Sequence, residues 1–238
     1  MDNGWDQSAD AWIASLGERG DWSREHVLDP AMLARVDLQT FERALDVGCG
    51  EGRFCRILKE RGISVVGIDT SSRLLNIAMR RDPSGAYHLA NAEQLPFDDD
   101  SFDLVISYVT LCDIPDFRAA ICEIARVLAP GGTFLLANLS SMSTADAGIG
   151  WVRDENGNVL HWSVDRYLDE YSMRSEWSGI SVISWHRPLS AYMSALLGAG
   201  LRLEFFDEPR PLGGDPERQE RYRRMPWFVL MEWRLPSV

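Results

Sequence analysis

The residues best suited to chemistry gather in one short stretch, Asp46-Val47-Gly48-Cys49-Gly50-Glu51-Gly52, where alternate glycines follow an apolar run and carboxylates flank them. Glycines let a ligand approach the backbone with no Cβ atoms in the way. A dinucleotide-binding turn is spaced G-x-G-x-x-G and rests a diphosphate on a helix N-terminus. Here the spacing is G-x-G-x-G, with Asp46 before the turn and Glu51 inside it. Two carboxylates serve a diphosphate poorly, whereas a ligand with a sulfonium cation and a zwitterionic amino-acid tail tolerates them. Asp69 lies 21 residues beyond Gly48, at a place where a carboxylate can accept both hydroxyls of an adenosine ribose.

Other reactive types are sparse. Of four histidines, His26 sits in the N-terminal segment and His88 beside a weak strand, while His161 and His186 lie in a tryptophan-rich stretch. If a general base is used, His186 or His161 is the candidate. Arg24, in Asp21-Trp-Ser-Arg24, can clasp a carboxylate of cofactor or substrate. No C-x-x-C pair and no Cys/His cluster with zinc spacing occurs, and Asp98-Asp99-Asp100 reads as a solvated turn, so no metal is expected. Cys49, Cys55, Cys112 and Cys122 read as buried or half-buried thiols of a reducing compartment.

These residues need a scaffold, and the hydrophobic pattern supplies one. Strands are expected at 44–48, 63–68, 87–89, 103–107, 133–137, 201–206 and 227–235, and helices at 54–61, 72–81, 119–128 and 188–198, with a cap at Ser71 or Ser72. Apolar strands alternating with helices indicate a parallel sheet covered on both faces. The expected fold is therefore α/β, doubly wound and Rossmann-like, with a mostly parallel seven-stranded sheet and an antiparallel last strand. Asn156-Gly157 between 151–154 and 159–162 signals a hairpin. The chain reads as one domain over 1–238, with a helical N-terminal cap over 1–40 and a substrate-facing insertion over 139–187.

Bulk properties narrow the partners. The 238 residues carry a net charge of −12, and the dense basic run from Arg218 to Arg224 is interleaved with Glu217 and Glu220. Nucleic acid, which is held by clustered Lys and Arg, is not an expected partner. No apolar stretch approaches the ~18 residues of a membrane span, and the first residues do not form a signal peptide, so a cytoplasmic location is expected. All nine tryptophans lie outside residues 23–150. The α/β half thus packs with aliphatic side chains, and the aromatic segments are free to wall a pocket for a flat or cationic acceptor.

Five motifs in order, Ala44-Leu-Asp-Val-Gly-Cys-Gly-Glu-Gly-Arg-Phe54, Val66-Gly-Ile-Asp69, Ala92-Glu-Gln-Leu-Pro-Phe97, Ser101-Phe-Asp-Leu-Val105 and Arg126-Val-Leu-Ala-Pro-Gly-Gly132, resemble class I S-adenosylmethionine-dependent methyltransferases. The similarity is to the methyltransferase type 11 group, which includes the ubiquinone/menaquinone C-methyltransferases, and it spans about residues 42–140. The resemblance implies S-adenosylmethionine as cofactor, while the acidic charge and the aromatic insertion point to a small-molecule methyl acceptor. It places Asp46, Gly48, Cys49 and Gly50 along the methionine part, Asp69 on the ribose, and Thr70 and the Asn91-Ala92-Glu93 segment at the adenine. Asn91 stands where the family usually has an acidic residue, though an amide oxygen accepts the same hydrogen bond. Ser107 and Tyr108 would border the methionine amine and the transferring methyl, and Tyr108 joins the histidines as a catalytic candidate. The methylated atom is left open between O, N and C.

Overall fold

The computed structural model describes residues 3–17, 19–146 and 148–237. The chain starts with α1 (Trp5–Leu16), a π-helical turn at Arg24–Leu28 and α2 (Asp29–Val36). Then come β1 (Arg43–Val47), α3 (Arg53–Lys59), β2 (Ser64–Asp69), α4 (Ser72–Arg81), β3 (Ala86–Leu89), β4 (Phe102–Tyr108), α5 (Phe117–Val127) and β5 (Leu128–Leu139). An additional segment holds α6 (Ser141–Thr144), β6 (Trp151–Arg153), β7 (Val159–Trp162), β8 (Tyr171–Trp177) and β9 (Ile180–His186). The chain closes with α7 (Leu189–Gly198), β10 (Arg202–Asp207), α8 (Pro216–Arg224) and β11 (Phe228–Arg234).

Seven strands form one sheet in the order β10-β11-β5-β4-β1-β2-β3. β1 pairs in parallel with both β2 and β4, and β11 runs antiparallel between β5 and β10. The fold is the expected Rossmann-like doubly wound sheet with an antiparallel last strand. After β3 the chain crosses back to place β4 beside β1, so the C-terminal ends of β1 and β4 flank the crevice where such sheets bind ligands. Apolar side chains cover both faces: Phe117, Ile121, Ile124 and Leu196 on one, Met32, Phe54, Leu58 and Leu75 on the other. Burying each such side chain is worth about 2 kcal/mol, which is what fixes the strand ends in space.

Local chemistry sets the boundaries. Ser71 Oγ accepts the Leu74 amide and Asp116 Oδ1 the Ala119 amide, starting α4 and α5. β5 begins five residues earlier than the apolar run 133–137 suggests, because Leu128 pairs with Phe102 while residues 129–132 bulge before Thr133 meets Leu104. The insertion carries two hairpins rather than one. Beside β6–β7 lies β8–β9, which turns on Ser178 and Gly179, both at positive φ. Three cysteines are buried, but Cys122 on α5 is exposed, against the expectation of four buried or half-buried thiols.

Candidate functional site

At the C-terminal ends of β1, β2 and β4 lies a cavity of about 550 Å³, within the size range of small-molecule sites. The glycine turn forms its floor. The amides of Gly48 and Cys49 both donate to the Ile68 carbonyl, at 2.8 and 2.9 Å, and pin the turn to the end of β2. Gly48 sits at φ 77°, and a Cβ there would lie 2.2 Å from Thr110 Cγ2. Gly50, at φ 55°, differs: its nearest neighbour would be Trp12 Nε1 at 3.9 Å, so the space over it is open.

Two carboxylates face this floor. Asp46 is buried; Cys55 Sγ donates to its Oδ2 at 3.3 Å, while Oδ1 is enclosed with no protein partner. Burial pushes its carboxyl up to about 7, against the pull of the Cys55 thiol. Asp69 accepts from the Gly50 and Ser71 amides, each at 2.8 Å. Enclosure raises its carboxyl above the ordinary range even though backbone N–H groups oppose the shift. Glu51 lines the cavity as well, but its carboxylate is held by Arg56 at 2.7 Å and Arg81 at 2.6 Å. Its charge is therefore spent on those arginines, and the acidity that would repel a diphosphate comes from Asp46 and Asp69.

Along the rest of the rim, Thr70, Asn91, Ala92 and Glu93 line the cavity beside Leu74. Asn91 Oδ1 accepts the Glu93 amide, and Glu93 Oε1 accepts the Asp116 amide, so this loop is held from both sides. Tyr108 closes the wall at the end of β4. Its hydroxyl donates to Asp29 Oδ1 at 2.7 Å, and Asp29 is gripped in bidentate fashion by Arg53 at 2.7 and 2.8 Å. Burial and the Asp29 charge raise the phenol well above its ordinary value. Arg24 lies over the rings of Trp12 and Tyr108, at 4.7 and 5.4 Å, and is ion-paired to Asp21.

The roof comes from segments flanking the sheet. Trp5 meets Trp12 edge-on at 5.3 Å and Trp177 at 6.3 Å, and all three line the cavity. Asp113, in the turn after β4, accepts from Trp5 Nε1 at 3.0 Å and Ser184 Oγ at 2.6 Å. Burial pushes it up to about 6 despite those donors. The sequence carries no spacing that marks Asp113, and Asp29 and Arg53 meet only through tertiary contact.

Three candidate residues fall outside the cavity wall. Ser107 is buried on β4, and strand alternation turns its side chain to the opposite face from Tyr108. His161 lies on the exposed hairpin strand β7. His186 is fully buried, with Nδ1 2.8 Å from Thr144 Oγ1 and Nε2 2.9 Å from the Tyr167 carbonyl. Neither histidine lines the cavity, since His186 is packed inside the insertion and His161 faces outward on its hairpin. Among the described residues no group of His, Cys, Asp and Glu has the arrangement of a metal site, and no helix is long and apolar enough to cross a membrane.

The arrangement fits S-adenosylmethionine: an open glycine cradle, an enclosed Asp46 oxygen lacking a partner, and a carboxylate at the end of β2. Comparison with known proteins agrees. Residues 45–136 match a family model described as a methyltransferase domain. The chain is 34% identical over 191 residues to a malonyl-[acyl-carrier protein] O-methyltransferase of Salmonella typhimurium, covering 79% of this chain and 75% of that one. It is 36% identical to the enzyme of the same name from Serratia marcescens, where the match spans 46% of this chain and 43% of the relative. An S-adenosylmethionine-dependent methyltransferase structure from Mesorhizobium loti superposes with a TM-score of 0.80 and 29% identity, covering 92% of this chain and all of that one. The chain is thus a member of the class I S-adenosylmethionine-dependent methyltransferases, in the methyltransferase type 11 group.

Proposed function

We propose that the protein transfers a methyl group from S-adenosylmethionine to a small-molecule acceptor lodged between Tyr108 and the tryptophan roof. The observation that carries this reading is the single cavity that joins the glycine cradle to Trp5, Trp12 and Trp177. Asp46 and the turn from Gly48 to Gly50 would hold the methionine part, with Arg24 at its carboxylate. Asp69 would hold the ribose, and Thr70 with Asn91, Ala92 and Glu93 would border the adenine. The cofactor supplies a methyl already activated by a sulfonium, so the protein's tasks are alignment and exclusion of water. Trp5 and Trp12 on α1 perform the second task by covering the crevice. We assign no histidine to proton transfer, which suits acceptors that present an ionised oxygen or a free lone pair.

The test is calorimetry with adenosylmethionine, adenosylhomocysteine and NAD, followed by labelled-methyl transfer to a panel of small acceptors. Binding of both sulfur ligands and not NAD is expected. Absence of binding by either sulfur ligand overturns the reading.

A further inference from the structure

A second cavity, of about 320 Å³, opens on the outer side of the tryptophan roof. Trp12, Asp21, Ser23 and Trp177 line both cavities, so the two adjoin across these side chains. The outer one is otherwise bounded by Trp22 and Tyr222, whose rings lie 4.9 Å apart, and by Arg218 and Arg221 of α8.

Helix α8 is unusual in this acidic chain. None of its residues is buried, and it carries Arg218, Arg221, Arg223 and Arg224. Arg224 is committed to the carbonyls of Val159 and Leu160. Among the described residues, no ion pair joins any of the four to a carboxylate, although Glu217 and Glu220 share the helix. Asp215 is occupied as the helix cap, accepting the Arg218 amide, and Asp21 is held by Arg24. Arg218 and Arg221 therefore present unneutralised guanidinium groups where the vestibule meets solvent. Arg218 also lies 5.8 Å from the Trp22 ring, beside a flat apolar wall.

We propose that this vestibule is a second acceptor subsite, and that it takes a carboxylate, sulfonate or phosphate group carried on a flat or apolar body. A guanidinium fork matches such an anion in two hydrogen bonds, and the aromatic walls accept the body by stacking. The net charge of −12 does not prevent this, since salt screens it beyond about 8 Å while the arginine contacts are local. The acceptor then spans both cavities, its anion on α8 and its nucleophile beneath the roof. The word acceptor rests on the methyltransferase reading; the anion subsite itself does not.

The probes are anilinonaphthalene sulfonate and its uncharged analogue phenylnaphthylamine, titrated by fluorescence against the full chain saturated with adenosylhomocysteine. The R218A/R221A double variant tests the assignment, and both arginines are exposed, so their truncation leaves the packing of Tyr222 in place. The wild type is expected to favour the sulfonate, and the double variant to bind it about fivefold or more weakly with the uncharged probe unchanged. Adenosylhomocysteine affinity, read separately by calorimetry, stays the same. Equal sulfonate affinity in wild type and variant overturns the subsite. Loss of sulfonate binding in a protein that never binds adenosylhomocysteine upholds the subsite and overturns the methyltransferase reading instead.

Discussion

Tyr108 donates its hydroxyl hydrogen to Asp29 Oδ1 across 2.7 Å, and this bond joins the sheet wall of the cavity to the N-terminal helices that cover it. Asp29 opens α2, Tyr108 ends β4, and Arg53 opens α3 while holding both oxygens of Asp29. Three elements distant in sequence thus converge on one half-buried carboxylate. Edge-on packing of Phe54 against Tyr108 at 5.0 Å sets the ring plane.

Removing different parts of this unit has different costs. Tyr108→Phe keeps the ring and leaves Asp29 its arginine, so a loss of about 1–2 kcal/mol is expected. Asp29→Ala strands a buried guanidinium and should cost about 3 kcal/mol or more. Urea midpoints of the two variants check the order. A larger loss for the tyrosine variant would show that the hydroxyl bond to Asp29, and not the ion pair, anchors the cap.

The two glycines of the turn separate folding from binding. Gly48→Ala puts a Cβ 2.2 Å from Thr110 Cγ2 at φ 77°, so thermal unfolding should show a loss of several kcal/mol, about 3 or more. Gly50→Ala meets no atom closer than 3.9 Å and pays only the positive-φ strain, about 1 kcal/mol. Its Cβ instead enters the cradle, and calorimetry should show adenosylhomocysteine affinity falling at least about tenfold. Unimpaired binding by folded Gly50→Ala protein would place the cofactor elsewhere.

Asp46 gives the site a pH dependence. Its carboxyl titrates near 7 in the folded protein against an ordinary 3.8. Between those values the folded state binds more protons than the unfolded state, so the stability of the free protein falls as pH rises from 3.8 toward 7 and levels off above it. Asp46→Asn escapes this penalty. Its unfolding free energy relative to wild type, followed by urea denaturation, should climb across that interval, by a few kcal/mol at about 1.4 kcal/mol per pK unit. If Asp46 holds the methionine part of the cofactor as proposed, the same substitution removes a carboxylate from that site, so the affinity advantage of wild type should grow over the same interval. A stability difference that is flat with pH contradicts the titration.

Sequence reading reached the sheet and the cradle because both follow from local signals. Apolar runs between glycines mark β1 and β2, and the G-x-G-x-G spacing with Asp46 and Asp69 marks the turn that now lines the cavity floor. Side-chain direction escaped it: Ser107 and Tyr108 are neighbours in sequence, yet only Tyr108 faces the cavity. Glu51 looked like part of the ligand's electrostatic setting until Arg81, thirty residues away, was seen to hold it. Asp29, Arg53 and Asp113 carry no motif, since their partners come from other elements. The tryptophan distribution pointed toward a wall, and Trp5, Trp12 and Trp177 do line the cavity, but which tryptophans do so depends on how β8 and β9 fold over α1.

His186 supplies the sharpest contrast between a reactive residue type and its surroundings. Its Nε2 donates to the Tyr167 carbonyl, which leaves Nδ1 to accept from Thr144 Oγ1, and no edge of the ring reaches the cavity. Burial holds its pKa below the ordinary 6.5, so the neutral form dominates. The unfolded chain takes up a proton there before the folded one does, and acidification below 6.5 should draw down stability through this group. His186→Gln should cost about 1–3 kcal/mol at neutral pH by disturbing two buried hydrogen bonds, and should reduce that acid-side loss. Methyl transfer by the folded variant should stay within about twofold of wild type, with the pH–rate profile unchanged in shape. Loss of one limb of that profile at undiminished stability would make His186 a base and require the insertion to open during turnover.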